Sequence, residues 1–143
     1  MTALRMGEVA TRAGVSPRTL RYYEELGLLS PSSKTAGGAR RYGDDDVARL
    51  LRIRQLQELM GFDLNEIAAI LEGEDRLSDL RQEWFRQESA ESRAAILGEA
   101  VKINDRLQEQ VRRKRERLDA FLADLEGKRA RYDDVADELR TRA

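Results

Sequence analysis

The chain has 143 residues, a length that fits one domain, or one small domain joined to an extended element. Charged residues make up 37% against 41% hydrophobic, a mix that suits helices with long solvated faces better than a large compact core. Cysteine and histidine are both absent, which removes disulfides, thiolate metal sites and the usual general base near neutral pH, so no metal site, cofactor or catalytic residue is expected.

The net charge of −1 conceals an asymmetry. Residues 1–42 hold seven Lys and Arg against three Asp and Glu, a net of +4; the remainder holds 19 against 24, a net of −5. A basic head on an acidic body suggests a polyanionic partner for the head, with chance clustering as the alternative. The opening segment MTALRMGEVA lacks the apolar core of a signal peptide, and no apolar run approaches membrane-spanning length. The expectation is a soluble cytoplasmic protein with no membrane partner.

Met6 to Ala13 reads as a short helix with Met6, Val9, Ala10 and Ala13 on one side, stopped by Gly14. In VSPRTLRYYEELG, Ser16 is a good N-cap, Pro17 fits the first helical position and Gly27 closes the segment. Leu20, Tyr23 and Leu26 should face inward. Two short helices joined by a tight glycine-containing turn make a helix-turn-helix. Arg18 and Thr19 fall in the first turn of its second helix, the part that reaches base edges in the major groove, where arginine pairs bidentately with guanine. Arg21 and Tyr22 sit further along the exposed face, placed to grip phosphates; partial core packing is the alternative for Tyr22.

LLSPSSKTAGGARRY follows, with Leu28 and Leu29 able to anchor a strand and Gly37-Gly38 a hairpin tip. This predicts a small β-wing. GDDDVARLLRIRQLQELMG reads as a helix whose acidic first turn matches the helix dipole, with Val47, Leu50, Leu51, Ile53 and Leu56 as its buried stripe and Gly61 as its end. A second short helix is capped at Asp63 with Glu66 three residues on, and is expected to stop near Gly73. Asp75 to Glu91 is polar and partly helical, with Trp84 and Phe85 expected to pack between the head and the helix that follows.

From Ser92 to about Leu125 no proline intervenes. Ile96, Ala100, Ile103, Leu107, Val111, Leu118, Phe121 and Leu125 follow three- and four-residue steps, a coiled-coil seam that needs a partner helix, most economically its own copy. The basic run Val111 to Leu118 points mostly away from that seam, as a solvated face or, alternatively, an anion site; Lys114 falls on the seam. Residues 127–143 form a charged tail with Tyr132, Val135 and Leu139 as a thin apolar face.

TLRYYEELGLL, the wing GGARRY and LMGFDLNEIAAIL, in that order from Met6 to Leu71, closely resemble the MerR family of bacterial transcription regulators. The resemblance covers about half the chain. It implies a mainly α fold, with an N-terminal winged helix-turn-helix over 1–74, a connecting segment over 75–91, an antiparallel dimerisation helix over 92–126 and the tail over 127–143. It also implies that Arg40 and Tyr42 of the wing contact the DNA backbone, with Arg41 adding charge. Many members carry an aromatic where this chain has Ala39, which leaves one wing contact open. Dimerisation then falls to Ile96, Ile103, Leu107, Val111, Leu118, Phe121 and Leu125, with the two helices crossing near Gln110. The implied partners are double-stranded DNA, a second copy of the chain and RNA polymerase at the promoter. An architectural DNA-bending or adaptor protein is the alternative; an enzyme is not expected.

Overall fold

Ser16 begins the element that matters most. Its side chain accepts a hydrogen bond from the Thr19 amide at 3.1 Å, so the helix from Pro17 to Glu25 starts where the sequence places its cap. In the computed structural model, which describes residues 3–30, 33–34 and 40–143, this is the second helix, α2. The first, α1, spans Met6–Ala13 and ends at Gly14, which adopts φ +71° as its neighbour's amide, Val15, closes on Ala10 O at 2.9 Å. Gly27, at φ +76°, ends α2 in the same way, with Leu28 N reaching Tyr23 O at 3.0 Å.

Two-residue strands β1 (Ser33–Lys34) and β2 (Arg40–Arg41) pair antiparallel, Ser33 opposite Arg41 and Lys34 opposite Arg40. Leu28 and Leu29 are buried, but they belong to the segment before β1 and not to the strand itself. The wing tip, Gly37-Gly38, and Ala39 lie outside the described residues.

Helix α3 (Asp44–Arg54) opens on Gly43, whose amide donates to the buried carboxylate of Asp46 at 2.8 Å. From Gln55 to Leu59 the helix widens into a π-turn. Within that turn Leu56 is buried and Leu59 is 80% exposed, and the chain leaves at Gly61 with φ +70°. The buried positions of α3 are Asp46, Leu50 and Ile53; Val47 is half-buried, and Leu51, expected inside, is exposed because it points about 100° away from Leu50.

Helix α4 runs from Leu64 to Arg86, through Gly73 and through most of the expected connecting segment. Its start is the predicted capping box: Asp63 N donates to Glu66 Oε1 at 3.0 Å and Glu66 N to Asp63 Oδ1 at 2.8 Å. Gly73 fails to stop it because a helical glycine costs only about 1 kcal/mol. Against that cost stand buried Ile67, Ile70, Leu71 and Leu80, together with the pairs Arg52–Glu74 at 3.0 Å and Arg49–Asp75 at 2.6 Å.

Helix α5 spans Ala90–Thr141, 52 residues, or about 78 Å. Ser89 caps it, accepting from the Ser92 amide at 3.1 Å. The expected tail is therefore part of one continuous helix, supported by ion pairs such as Lys128–Asp124 at 3.2 Å and Arg129–Asp133 at 3.3 Å.

The chain forms two compact units, residues 1–81 and 82–143. The core of the first is Leu4, Val9, Ala13, Leu20, Tyr23, Leu28, Leu29, Tyr42, Leu50, Ile53, Leu56, Phe62, Ile67, Leu71 and Leu80, all buried. In the second, Ile103 is buried, and Trp84 is half-buried with the Arg93 guanidinium 4.9 Å from its ring centroid. Phe85, expected to pack inside, is 77% exposed.

Candidate nucleic-acid interface

Helix α2 buries Leu20 and Tyr23 and turns the opposite side outward. Arg18, Arg21 and Tyr22 lie on that outer side at helical spacing, and all three are exposed. Glu25 shares the face one turn on and bounds the cationic stretch with a negative charge. Thr19 is only half-exposed, and its hydroxyl shares a 2.9 Å hydrogen bond with Ser16 Oγ, so it serves the cap of the helix. Tyr22 and Leu26 edge a groove completed by Leu28, Leu64, Asn65 and Ala68. Leu26, expected inside, is half-exposed there, since the helix ends at Glu25 before its spacing can carry it inward.

The turn between α1 and α2 is held from behind. Arg54, at the end of α3, donates from Nη1 to Ala13 O at 2.6 Å, while Nε and Nη2 bind the two oxygens of Glu58 at 3.1 and 3.0 Å. A Cβ on Gly14 would come within 2.4 Å of Arg54 Nη1, so glycine is needed both for the conformation and for the close approach. Behind α2, Tyr23 donates its hydroxyl to Gln57 Oε1, in the π-turn, at 2.9 Å. Burial pushes the Tyr23 phenol above its ordinary range, with the Glu58 carboxylate adding to the shift and Arg54 opposing it.

The wing is stitched to the same frame. Tyr42 pairs its backbone with Leu4 in both directions at 2.8 Å, and its hydroxyl donates to the Glu24 carboxylate of α2. At 1% exposure Tyr42 is a core residue. The phosphate contact expected of it is corrected accordingly: the phenol points to α2 and ties the base of the wing to that helix. Arg41 is half-exposed in β2; Arg40 stands beside it in the strand, and its side chain lies outside the described residues.

Three arginines that sequence reading left without a role prove to be structural. Arg49 donates to Leu28 O at 2.9 Å as well as pairing with Asp75, Arg52 holds Glu74, and Arg54 holds the turn. Their local spacing gives no signal of this, because the acids that Arg49 and Arg52 hold lie 26 and 22 residues further on, in α4, and the carbonyl that Arg54 holds lies 41 residues back, at the turn.

On α5, Ile103 is buried and Ile96 and Leu107 are half-buried within the single chain, whereas Val111, Leu118, Phe121 and Leu125 are exposed. The neighbouring Leu97 and Val101, which were not assigned to the seam, are also exposed.

Among the described residues no group of three or more acidic side chains is placed to hold a metal ion, and no helix is long and apolar enough to cross a membrane.

Residues 4–74 match the model of the MerR HTH family of regulatory proteins. The chain is 43% identical over 99 residues to the nodulation protein NolA of Bradyrhizobium elkanii, covering 68% of this chain and 45% of that protein. It is 46% identical over 82 residues to the transcriptional activator TipA of Streptomyces coelicolor, covering 57% of this chain and 31% of that one. This chain thus spans less than half the length of either relative. Among solved structures, the transcription regulator PbrR691 from Ralstonia metallidurans, solved in complex with lead(II), superposes with a TM-score of 0.51 at 28% identity, covering 87% of this chain and 84% of that one. With its glycine-ended helix-turn-helix, wing and long following helix, this chain belongs to the MerR family of helix-turn-helix regulatory proteins.

Proposed function

We propose that this chain is a sequence-specific DNA-binding transcription regulator, which acts as a homodimer on a pseudo-palindromic promoter site and distorts the DNA there. The observation that carries the reading is the outer face of α2, where Arg18, Arg21 and Tyr22 are exposed on a helix fixed at its turn by Arg54 and along its back by Tyr23. Arg18, in the first helical turn, reads a base edge; Arg21 and Tyr22, with Arg40 and Arg41 on the wing, hold phosphates. A dimer built on α5 presents two such helices to successive major grooves about one helical turn, or a multiple, apart. Fixed spacing between the helices obliges the DNA to adapt, at a cost on the order of 1–6 kcal/mol that the wing contacts offset. RNA polymerase is the protein partner at the promoter.

Titration of a labelled fragment from upstream of the chain's own gene, beside an unrelated fragment of equal length, tests this. The expected result is at least about a thousandfold preference for the upstream fragment, lost in part on Arg18→Ala. Equal affinity for both fragments at every salt concentration would rule out sequence-specific regulation and leave an architectural role.

A further inference from the structure

Around the axis of α2 each residue turns by about 100°, so Arg18 and Glu25 stand within about 20° of one another on a single line. That line lies opposite buried Leu20 and Tyr23 and is the most outward part of the helix. Arg21 and Tyr22 fall to either side of it, about 60° and 40° away. A helix laid on DNA along this line turns Arg21 and Tyr22 toward the flanking phosphates. Arg18 and Glu25 then face the base edges between them.

No structural contact accounts for Glu25. Other carboxylates of the same unit are engaged: Glu24 accepts from Tyr42, Asp46 from the Gly43 amide, Glu58 from Arg54, and Asp63 and Glu66 cap α4. Glu25 is exposed and meets no donor or cation among the described residues. It is also the last residue of α2, where a negative charge opposes the helix dipole.

Phosphate cannot be its partner, since like charges repel. What remains for an acid on this line is a hydrogen-bond donor on a base edge, and in the major groove those donors are the amino groups of cytosine and adenine. The adenine amino group sits beside the N7 acceptor of its own base, which opposes a carboxylate. Cytosine presents N4 with no acceptor beside it on the same base. The reach is sufficient. Helix α2 has nine residues, about 13.5 Å, against a groove about 12 Å wide, so its last turn stays near the base edges. Arg18 and Glu25 are about 10.5 Å apart along the axis, roughly three base-pair steps of 3.4 Å. Major-groove helices read a base triplet over the same seven-residue span.

We infer that Glu25 is a specificity-determining residue, accepting a hydrogen bond from the N4 amino group of a cytosine two or three base pairs from the base that Arg18 reads in each half-site. Guanine or thymine there sets a carboxylate against an acceptor, so Glu25 also selects by exclusion. This rests on the reading of α2 as the major-groove helix, and deepens it by adding a second base and the residue that chooses it.

The full chain is titrated against its upstream fragment and against every single-base variant of each half-site, beside Glu25→Ala and Glu25→Gln. Replacing one cytosine per half-site should weaken the wild type about 5- to 150-fold, two or three pairs from the position at which Arg18→Ala relaxes preference. Glu25→Ala should level the four bases at the cytosine position and keep the preference at the Arg18 position, which also shows that α2 is folded. Glu25→Gln should move the preference to adenine, whose N6 and N7 a glutamine amide pairs bidentately. Tighter binding of both variants to all sequences alike, with a steeper salt slope, would overturn the inference and leave Glu25 as a charge that repels phosphate. Unchanged preference at every position would overturn it as well. Either of those results alongside a strong preference for the upstream fragment leaves the regulator reading intact. A wild type that does not distinguish the upstream fragment from an unrelated one removes both.

Discussion

Tyr42→Phe removes one oxygen from the core and leaves the ring. In the wild type that hydroxyl donates to the Glu24 carboxylate, joining the base of the wing to α2, and the residue around it is 1% exposed. A hydrogen bond to a charged group contributes about 1.5–3 kcal/mol, and since the other carboxylate oxygen of Glu24, Oε2, is buried, the lower end is the least loss expected. Loss of at least about 1.5 kcal/mol should appear in urea unfolding as a lower midpoint at unchanged slope. The functional consequence separates two roles for the residue. A phosphate contact, when removed, makes the dependence of log K on log salt shallower by about one per contact. A buried tie does not touch phosphate, so Tyr42→Phe should weaken DNA binding through a loosened wing while leaving the salt slope unchanged. Anisotropy titrations at several salt concentrations measure both quantities. Unfolding unchanged within about 0.5 kcal/mol, together with a shallower salt slope, would refute the structural role and restore the phosphate contact.

Arg18→Ala should cost about 1–3 kcal/mol on the cognate site and relax preference at one position per half-site, whereas Arg41→Ala should weaken all sequences alike; competition against single-base variants distinguishes them. Gly14→Ala should lower the unfolding midpoint more than the same change made beside Arg54→Ala, because the new methyl displaces the guanidinium from Ala13 O; a double-mutant cycle showing no coupling would contradict this. The raised Tyr23 phenol favours the neutral form in the folded state, so its contribution to stability is present below the ordinary value of 10.0 and is lost as pH rises through the higher folded value. Tyr23→Phe should flatten that alkaline loss in unfolding measured from neutral pH upward. With neither thiol nor imidazole in the chain, stoichiometric Cu(I) or Hg(II) should leave its DNA complex unchanged in a mobility-shift assay.

The head was legible because its signals are local. Ser16 with Pro17, Asp63 with Glu66, and the glycines at 14, 27 and 61 mark ends where caps and left-handed turns form, and each appears where the spacing puts it. Tyr42 was misplaced because burial is not local: an Arg-Arg-Tyr run on a wing looks outward until Leu4 pairs with its backbone and Glu24 meets its phenol. Gly73 looked like a helix end, yet it lies within α4, since one glycine's propensity is outweighed by the packing and ion pairs of a long helix. The π-turn at Gln55–Leu59 had no sequence signature; within it Leu56 is buried and Leu59 is exposed. On α5, Ile96 and Ile103 of the expected seam are covered within the chain while Leu97 and Val101 are exposed, a difference that depends on what packs against the start of the helix and so is not local to its spacing.

Hydroxyl-radical footprinting of the unaltered protein on its own upstream fragment tests the central claim most directly, because it reads sequence recognition, dyad symmetry and distortion together. Two protected blocks should appear on one face of the duplex, with centres about one helical turn or a multiple apart, and the base steps between them should change reactivity only in the complex. A single protected block, or uniform protection without any dyad, would contradict a dimer that holds two α2 helices in successive major grooves.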